Sequence, residues 1–300
     1  MRIVSTPFGT SLQAKIDAIK SLEADGFTGA WLPGAGHDVL TTMALAGAVT
    51  TSIELGSFVQ PTFARHPVSM AQGALAAQAA SGNRFVLGLG LSHKSVIEGA
   101  WGLDFSRPVR HMREYLTVLN PLLRGERVDF EGEDFRIHSQ VQVPDAAPPS
   151  VVIAALGPQM LRLAGRMCDG TALWMAGPKY IEEVVVPELG RAAREAGRPA
   201  PRIIAGVPIV VTSDSGAARE RIATAYAMYG TLPSYQRVIS GSGASGPEDL
   251  AVIGTEEQVE SQLRRWQDAG VTDFYAAIDG ENAEVRAHTR DFLKSLLPAI

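Results

Sequence analysis

The sequence lacks the features that mark several classes of protein. It has one cysteine, Cys168, which excludes an intramolecular disulfide and a thiolate-rich metal site and fits a reducing compartment. No long apolar run precedes Ser11 in the opening MRIVSTPFGT, so we expect neither a signal peptide nor a membrane anchor. These absences predict a cytoplasmic protein with no membrane partner.

An excess of basic residues is also missing. The 27 Lys and Arg residues against 32 Asp and Glu give a net charge of −5, so no global positive field attracts nucleic acid. None of the six histidines has metal-ligand spacing with a carboxylate, and we expect no catalytic metal. Hydrophobic residues make up 46% and charged residues 20% of the chain, which indicates a globular protein.

Short apolar runs alternate with helical stretches along the whole chain. Most of the runs are continuously apolar, as expected for parallel strands covered on both faces. Eight of them predict an α/β fold of the (β/α)8 TIM-barrel type in one domain, residues 1–300. The predicted strands are Met1–Ser5, Phe27–Leu32, Ile53–Val59, Arg84–Leu91, Val151–Ala155, Gly170–Met175, Arg202–Val211 and Asp273–Ala277.

Three stretches interrupt this alternation. Gly125–His138 predicts a small hairpin outside the barrel, and Ser139–Ser150 predicts a loop. The long insertion Gly230–Gly254, near the C-terminal side, is rich in glycine and serine. We expect it to lie over the strand ends as a mobile cover, since loops of this length are often functional.

The third and fourth strands end in segments that could form a site. They read LGSFVQPTFARHP and SGNRFVLGLGLSH, and the C-terminal ends of barrel strands face the active site. Gly88 and Gly90 either leave room for a flat ligand or ease the packing of strands.

These two segments, together with PSVVIAALGPQMLRLAG, GTALWMAGP and the final GVTDF strand, resemble the luciferase-like monooxygenase superfamily. Within it, the chain is most similar to actinobacterial oxidoreductases that depend on the deazaflavin coenzyme F420. The resemblance covers nearly the whole chain. It implies F420 as the cofactor, with flavin mononucleotide (FMN) as the alternative.

The resemblance also implies a cis peptide bond at Phe58-Val59, which would form a shelf behind the cofactor ring. An ordinary trans strand end is the other interpretation. The turn before the helix that begins at Pro158 offers backbone N–H groups and the positive end of a helix dipole to an anion. Relatives bind the cofactor phosphate at this turn, although here Gln159 stands where some of them have lysine; an ordinary loop is the alternative.

Other candidates follow from their positions after strands. His93 and His37 could contact the ring or substrate and exchange a proton, and Phe8 and Trp174 could form pocket walls or belong to the core. His111, His138 and His288 are expected at the surface or on the hairpin, and His66 lies before Pro67 beyond the end of the third strand. The catalytic candidates are His93 and His37; the cofactor-binding candidates are Phe8, Ser57, Phe58, Val59, Ser92, His93, Ala155, Leu156, Gly157, Pro158, Gln159 and Trp174.

The basic segment Arg107–Arg113 is interpreted as a solvated helix face, or alternatively as an attractor of the acidic oligoglutamyl tail of F420. The implied reaction is hydride transfer between C5 of the deazaflavin and a small organic substrate. The alternatives are an FMN-dependent monooxygenase and a barrel that binds F420 without turnover. An aldolase or isomerase function is less favoured, because no lysine or glutamate pair suited to that chemistry is evident at a strand end of this chain. A homodimer is a further expectation.

Overall fold

The computed structural model describes residues 1–298, and the strands and helices follow one another in the predicted alternation. The strands are β1 (Arg2–Ser5), β2 (Gly29–Leu32), β3 (Glu54–Ser57), β4 (Gln60–Pro61), β5 (Phe85–Gly90), β6 (Val128–Glu131), β7 (Arg136–Ser139), β8 (Ser150–Ala154), β9 (Gly170–Trp174), β10 (Arg202–Val211), β11 (Val252–Gly254) and β12 (Asp273–Ile278).

Helices lie between these strands along the chain. They are α1 (Leu12–Ala24), α2 (Val39–Gly47), α3 (Pro67–Ala80), α4 (Pro108–Leu123), α5 (Pro158–Met167), α6 (Pro178–Tyr180), α7 (Val186–Glu195), α8 (Ser215–Ala225), α9 (Ala227–Thr231), α10 (Pro233–Gly241), α11 (Glu256–Asp268) and α12 (Ala283–Leu296). Two π-helical segments, Ser95–Ala100 and Ile181–Val185, and a short 3-10 turn, Pro247–Asp249, complete the secondary structure.

The chain forms two compact units. One contains residues 1–6, 24–29 and the chain from Ala155 onward; the other contains residues 7–23 and 30–154. In the first unit β10 pairs in parallel with β9, β11 and β12, and β12 pairs with β1. In the second, the strand order is β2, β3, β5, β8, with parallel pairing of β5 to β3 and β8.

All eight predicted strands are confirmed. Their continuous apolar runs are explained by burial: every residue of β5 is buried, and so are nine of the ten residues of β10. Strands covered on both faces have no solvent side on which polar residues would alternate. The predicted hairpin is confirmed as the antiparallel pair of β6 and β7. The buried Glu114 carboxylate fixes its tip by accepting hydrogen bonds from the backbone N–H groups of Glu133, Asp134 and Phe135.

The insertion Gly230–Gly254 is more ordered than the predicted cover. It contains α10, the 3-10 turn and β11, and α10 is docked against the turn after β9. The Ser242 hydroxyl accepts a hydrogen bond from the Gly177 N–H at 2.9 Å and donates one to the Val238 carbonyl at 2.7 Å. A Cβ at Gly241 would lie only 2.7 Å from the Tyr180 ring, so glycine permits this close packing.

Among residues 1–298, no helix combines the length and the apolar character needed to cross a membrane.

We predict that Ser242→Ala loosens α10. The substitution removes the acceptor of the Gly177 N–H, and a lost hydrogen bond of this kind costs about 1 kcal/mol. Hydrogen exchange of the amides in 233–254 should therefore accelerate severalfold relative to the rest of the chain. Ser240→Ala, at an exposed position on the same helix, is the matched control and should exchange like the parent. Equal protection in both variants would show that the Ser242 hydroxyl does not hold the helix in place.

Candidate active site

The end of β3 forms a tightly packed shelf made of Ser57, Phe58 and Val59. The Phe58-Val59 peptide bond is cis, which confirms the prediction. Three glycines contact this segment. A Cβ at Gly88 would overlap the Ser57 carbonyl oxygen, one at Gly90 would overlap the Val59 side chain, and one at Gly34 would overlap the Val59 carbonyl oxygen.

Of the two interpretations of Gly88 and Gly90, the structure favours the packing of strands. Their missing side chains make room for Ser57 and Val59, which belong to the protein itself. Glycine is needed at Gly88 because a backbone oxygen approaches more closely than any Cβ would allow, and at Gly90 because the Val59 side chain does so. The two glycines thus shape the shelf rather than the space above it.

Ser57, which is predicted to contact the cofactor, links the shelf to β5 through hydrogen bonds. Its side chain is fully buried, and its hydroxyl donates to the Gly88 carbonyl and accepts from the Gly88 N–H, each at 2.8 Å. Phe58 is 8% exposed and meets the Trp31 ring edge-on. Val59 is half-buried. The surface that the shelf offers to a ligand is therefore backbone and apolar side chain.

His93 and Ser92 follow β5 directly, as predicted. Both are half-buried, and Ser92 takes the left-handed backbone conformation with φ 59°. The His93 carbonyl accepts hydrogen bonds from the N–H groups of Val96 and Ile97, both at 2.9 Å, which anchors the loop to the following π-helical segment. Burial lowers the pKa of His93 below its usual value, so the ring is neutral near pH 7 and holds a single N–H proton.

His37 lies elsewhere in the same unit, in the loop between β2 and α2. Its side chain is exposed and lines a cavity of about 240 Å³, which we call the Trp101 pocket. Phe8, a predicted cofactor contact, is also exposed, at 52%. The residues that line this pocket are Gly34, Gly36, His37, Asp38, Gln60, Pro61, Ala64 and Trp101.

The turn at residues 155–158, which is predicted to bind the cofactor phosphate and which we call the phosphate turn, leads into α5 in the first unit. Gly157 is the N-cap, Pro158 begins the helix, and no side chain caps its first turn. The Tyr180 hydroxyl donates to the Leu156 carbonyl at 2.7 Å and orients the turn. Ala155 is fully buried, backbone included, while Gln159 is exposed. Uncapped N–H groups and a helix dipole suit an anion.

Arg237 is a residue of this region that the sequence pattern did not reveal. It is carried by α10 in the insertion, and its Nη1 lies 3.9 Å from the position that a Cβ at Gly157 would take. It forms no ion pair within the part of the chain that the structure describes. Arg237 therefore places a positive charge beside the predicted phosphate turn.

Trp174, at the end of β9, belongs to an aromatic cluster. It is half-buried, and its ring centroid lies 5.7 to 6.3 Å from those of Tyr226, Tyr229 and Tyr275. Burial raises the pKa of all three tyrosines, so their hydroxyls remain protonated near pH 7. The cluster places one indole face and several neutral hydroxyl donors together.

His111 is not the surface residue that we expected. Its ring stacks on Phe63 with centroids 3.9 Å apart, and its Nε2 lies 3.0 Å from the Thr62 hydroxyl. Burial lowers the pKa of His111 to about 4, although the nearby carboxylates of Asp134 and Glu114 oppose this. The amphipathic helix α4 turns this position toward the protein. His138 and His288 are exposed, as predicted, and His66 is exposed as well.

The basic segment on α4 is already neutralised in part. Arg110 pairs with Asp134 at 2.7 Å and also contacts Glu133, which favours the interpretation as a solvated helix face. Within residues 1–298, no three His, Cys, Asp or Glu side chains form a group that could hold a metal ion.

Comparison with known proteins identifies first the fold and then the family. The fold is the predicted (β/α)8 barrel: the coenzyme F420-dependent tetrahydromethanopterin reductase of Methanopyrus kandleri matches with a TM-score of 0.82 at 20% identity, over 98% of this chain and 96% of that chain. The sequence profile described as luciferase-like monooxygenase matches residues 3–273. The chain therefore belongs to the luciferase-like monooxygenase family, a family of oxidoreductases.

Relatives identified by sequence match over most of the chain. An uncharacterized protein of Mycobacterium tuberculosis is 32% identical over 76% of this chain and 71% of its own length. A 5,10-methylenetetrahydromethanopterin reductase of Methanolobus tindarius is 24% identical over 86% of this chain and 87% of its own length.

We predict that Gly88→Ala disrupts the shelf. The new Cβ would meet a backbone oxygen that cannot rotate away, so the free energy of unfolding should fall by about 3 kcal/mol or more. Urea denaturation monitored by circular dichroism measures the change. Gly99→Ala is the matched control, because no atom lies within 4 Å of its Cβ position, and it should be neutral or slightly stabilising. A Gly88→Ala variant as stable as the control would contradict the described packing.

Proposed function

We propose that the protein is a coenzyme F420-dependent oxidoreductase that transfers a hydride between the deazaflavin C5 and a small organic substrate. The observation that carries this proposal is the phosphate turn, where the uncapped start of α5 and Arg237, which has no ion pair among the described residues, supply positive charge. The chain has a net charge of −5, so this cation beside a helix start is a local feature. Support also comes from the similarity to reductases, one of which is named as dependent on F420.

F420 carries hydride at C5 and differs from FMN in its acidic oligoglutamyl tail. The protein residues have simpler tasks. Phe58 and Val59 would support one face of the ring through apolar contact, and Leu156 to Gln159 would bind the phosphate through backbone N–H groups. Arg237 would add charge-assisted hydrogen bonds to the phosphate or to the first carboxylate of the tail.

His93 is the proposed proton-exchanging residue of the site. Because burial keeps its imidazole neutral, the ring can accept the proton of a substrate hydroxyl or amine as the hydride leaves, and the imidazolium formed can return that proton in the reverse direction. His37 is the second candidate, and its exposed ring in the Trp101 pocket is suited to binding a polar group of the substrate.

FMN binding and cofactor storage are the alternatives that experiments must separate. FMN also carries a phosphate, so the turn alone does not distinguish the two cofactors. A protein that only stores F420 would bind it without oxidising or reducing any substrate. Binding and turnover therefore need separate measurements.

We predict that F420 binds more tightly than FMN and that Arg237→Ala weakens F420 binding about tenfold, through loss of one charge-assisted contact of about 1.4 kcal/mol. Titration of the purified protein with each cofactor, followed by ring fluorescence, measures both effects. Arg113→Ala is the control, since Arg113 is exposed on α4, in the segment first considered for the tail. FMN binding more tightly, or a loss of F420 affinity in Arg113→Ala alone, would overturn the assignment.

We predict that His93→Ala lowers turnover about 100-fold while F420 affinity changes less than twofold. General acid–base groups typically contribute 10²- to 10⁴-fold, whereas a half-buried ring at a loop contributes little to holding a large cofactor. A panel of ketones, imines and alcohols, screened by the absorbance of the deazaflavin, provides the assay. His93→Gln, which retains an N–H donor, should recover part of the rate. Unchanged turnover in His93→Ala would remove this residue from the reaction.

A further inference from the structure

The Trp101 pocket is too small for a whole substrate and cofactor. Ligand sites usually measure roughly 300 to 1,000 Å³, whereas this cavity is about 240 Å³, which is room for one ring and a short substituent. It adjoins the shelf: Gly34 lines the pocket and its Cα packs directly against the Val59 carbonyl, and Gln60 follows Val59 in the chain.

One wall of the pocket is an aromatic side chain held out toward solvent. Trp101 is 40% exposed, and Leu103 beside it is 38% exposed. The backbone beneath them is fixed, because the Trp101 N–H donates to the Val96 carbonyl at 3.0 Å and the Leu103 N–H to the Ile97 carbonyl at 2.9 Å. An indole on a fixed backbone is suited to stacking against a planar apolar group.

The acid in the pocket is already engaged. Asp38 Oδ1 accepts hydrogen bonds from the Thr41 N–H and hydroxyl, both at 2.8 Å, and Oδ2 pairs with Arg65. Asp38 therefore caps α2 and neutralises Arg65, so neither residue presents a free charge to a ligand.

One cation beside the pocket is not engaged. Lys15 Nζ lies 3.9 Å from the position of a Cβ at Gly36, a lining residue. The Lys15 side chain has no ion pair or hydrogen bond among residues 1–298, and the side chains of His37 and Gln60 likewise have no hydrogen-bond partner there. The local charge is thus positive, with two uncommitted polar groups next to it, which favours an anionic substituent.

We propose that the Trp101 pocket binds the non-reacting part of the substrate, and that this part is a planar apolar group carrying a carboxylate. The ring stacks on Trp101, the carboxylate is attracted to Lys15, and Gln60 or His37 donates a hydrogen bond to it. This inference rests on the proposed function, because it places the rest of the substrate beside the shelf that would support the cofactor. The substrate class is then the small aromatic or alicyclic carboxylic acids and their reducible derivatives.

Binding can be tested without turnover by ¹⁹F NMR on protein labelled with 5-fluorotryptophan. The chain has four tryptophans, and Trp101→Phe identifies the Trp101 resonance. The probes are 3-phenylpropanoate, its neutral amide 3-phenylpropanamide, and propanoate, each titrated with and without saturating F420. We expect the shift of the Trp101 resonance to give a dissociation constant for 3-phenylpropanoate at least tenfold lower than for either of the other probes.

Variants separate the two halves of the pocket. Lys15→Gln should weaken binding of the acid about tenfold and leave the amide unchanged. Lys20→Gln, at an exposed position on the same helix, should change neither. Trp101→Ala, read from calorimetric titration, should weaken both.

Equal affinity for acid and amide, an acid affinity that Lys15→Gln does not change, or no shift of the Trp101 resonance with or without F420 would overturn the proposal. F420 binding is measured separately by fluorescence. If F420 binds but the acid does not bind in the Trp101 pocket, only the pocket proposal is contradicted. If the acid binds in the pocket but F420 does not bind, the cofactor assignment is contradicted.

Discussion

The structure of the candidate site depends on one steric constraint: the close approach of the β3 end to three glycines. Gly34, Gly88 and Gly90 lack the Cβ atoms that would collide with Ser57 and Val59, and the Ser57 hydroxyl closes the arrangement by bonding both polar groups of Gly88. Because two of these contacts, those at Gly34 and Gly88, are with backbone oxygens, the segment has little freedom to move. A rigid apolar surface of this kind suits a flat ring. The Trp101 pocket lies beside this surface, because its lining residue Gly34 packs against the Val59 carbonyl.

A chain of net charge −5 still places single cations beside two loops, one carried by α1 and one by α10. Many of its basic residues are paired, among them Arg65 with Asp38 and Arg110 with Asp134. Arg237 and Lys15 are left without partners in the described part of the chain. His93 and His111 add no positive charge near pH 7, because burial lowers the pKa of both imidazoles. Selectivity for anions would then come from two placed cations and not from a general positive field.

The sequence predicted the fold well because its signals are local. Continuous apolar runs marked the eight buried strands, and proline at the first helical position marked the starts of α3 and α5. The predicted cis bond and phosphate turn also rest on contiguous motifs. What escaped prediction depends on contacts distant in the chain. Arg237 reaches Gly157 only because the insertion folds as a helix, and the glycines of β5 could not be assigned to packing until the β3 end was placed beside them.

Binding of a deazaflavin by the barrel is tested most directly by a crystal structure of the protein with F420. We expect density for the ring against Phe58 and Val59 and for the phosphate beside Gly157 and Arg237. Crystals grown with saturating F420 that show no density at those residues, or a phosphate bound away from the start of α5, would contradict it.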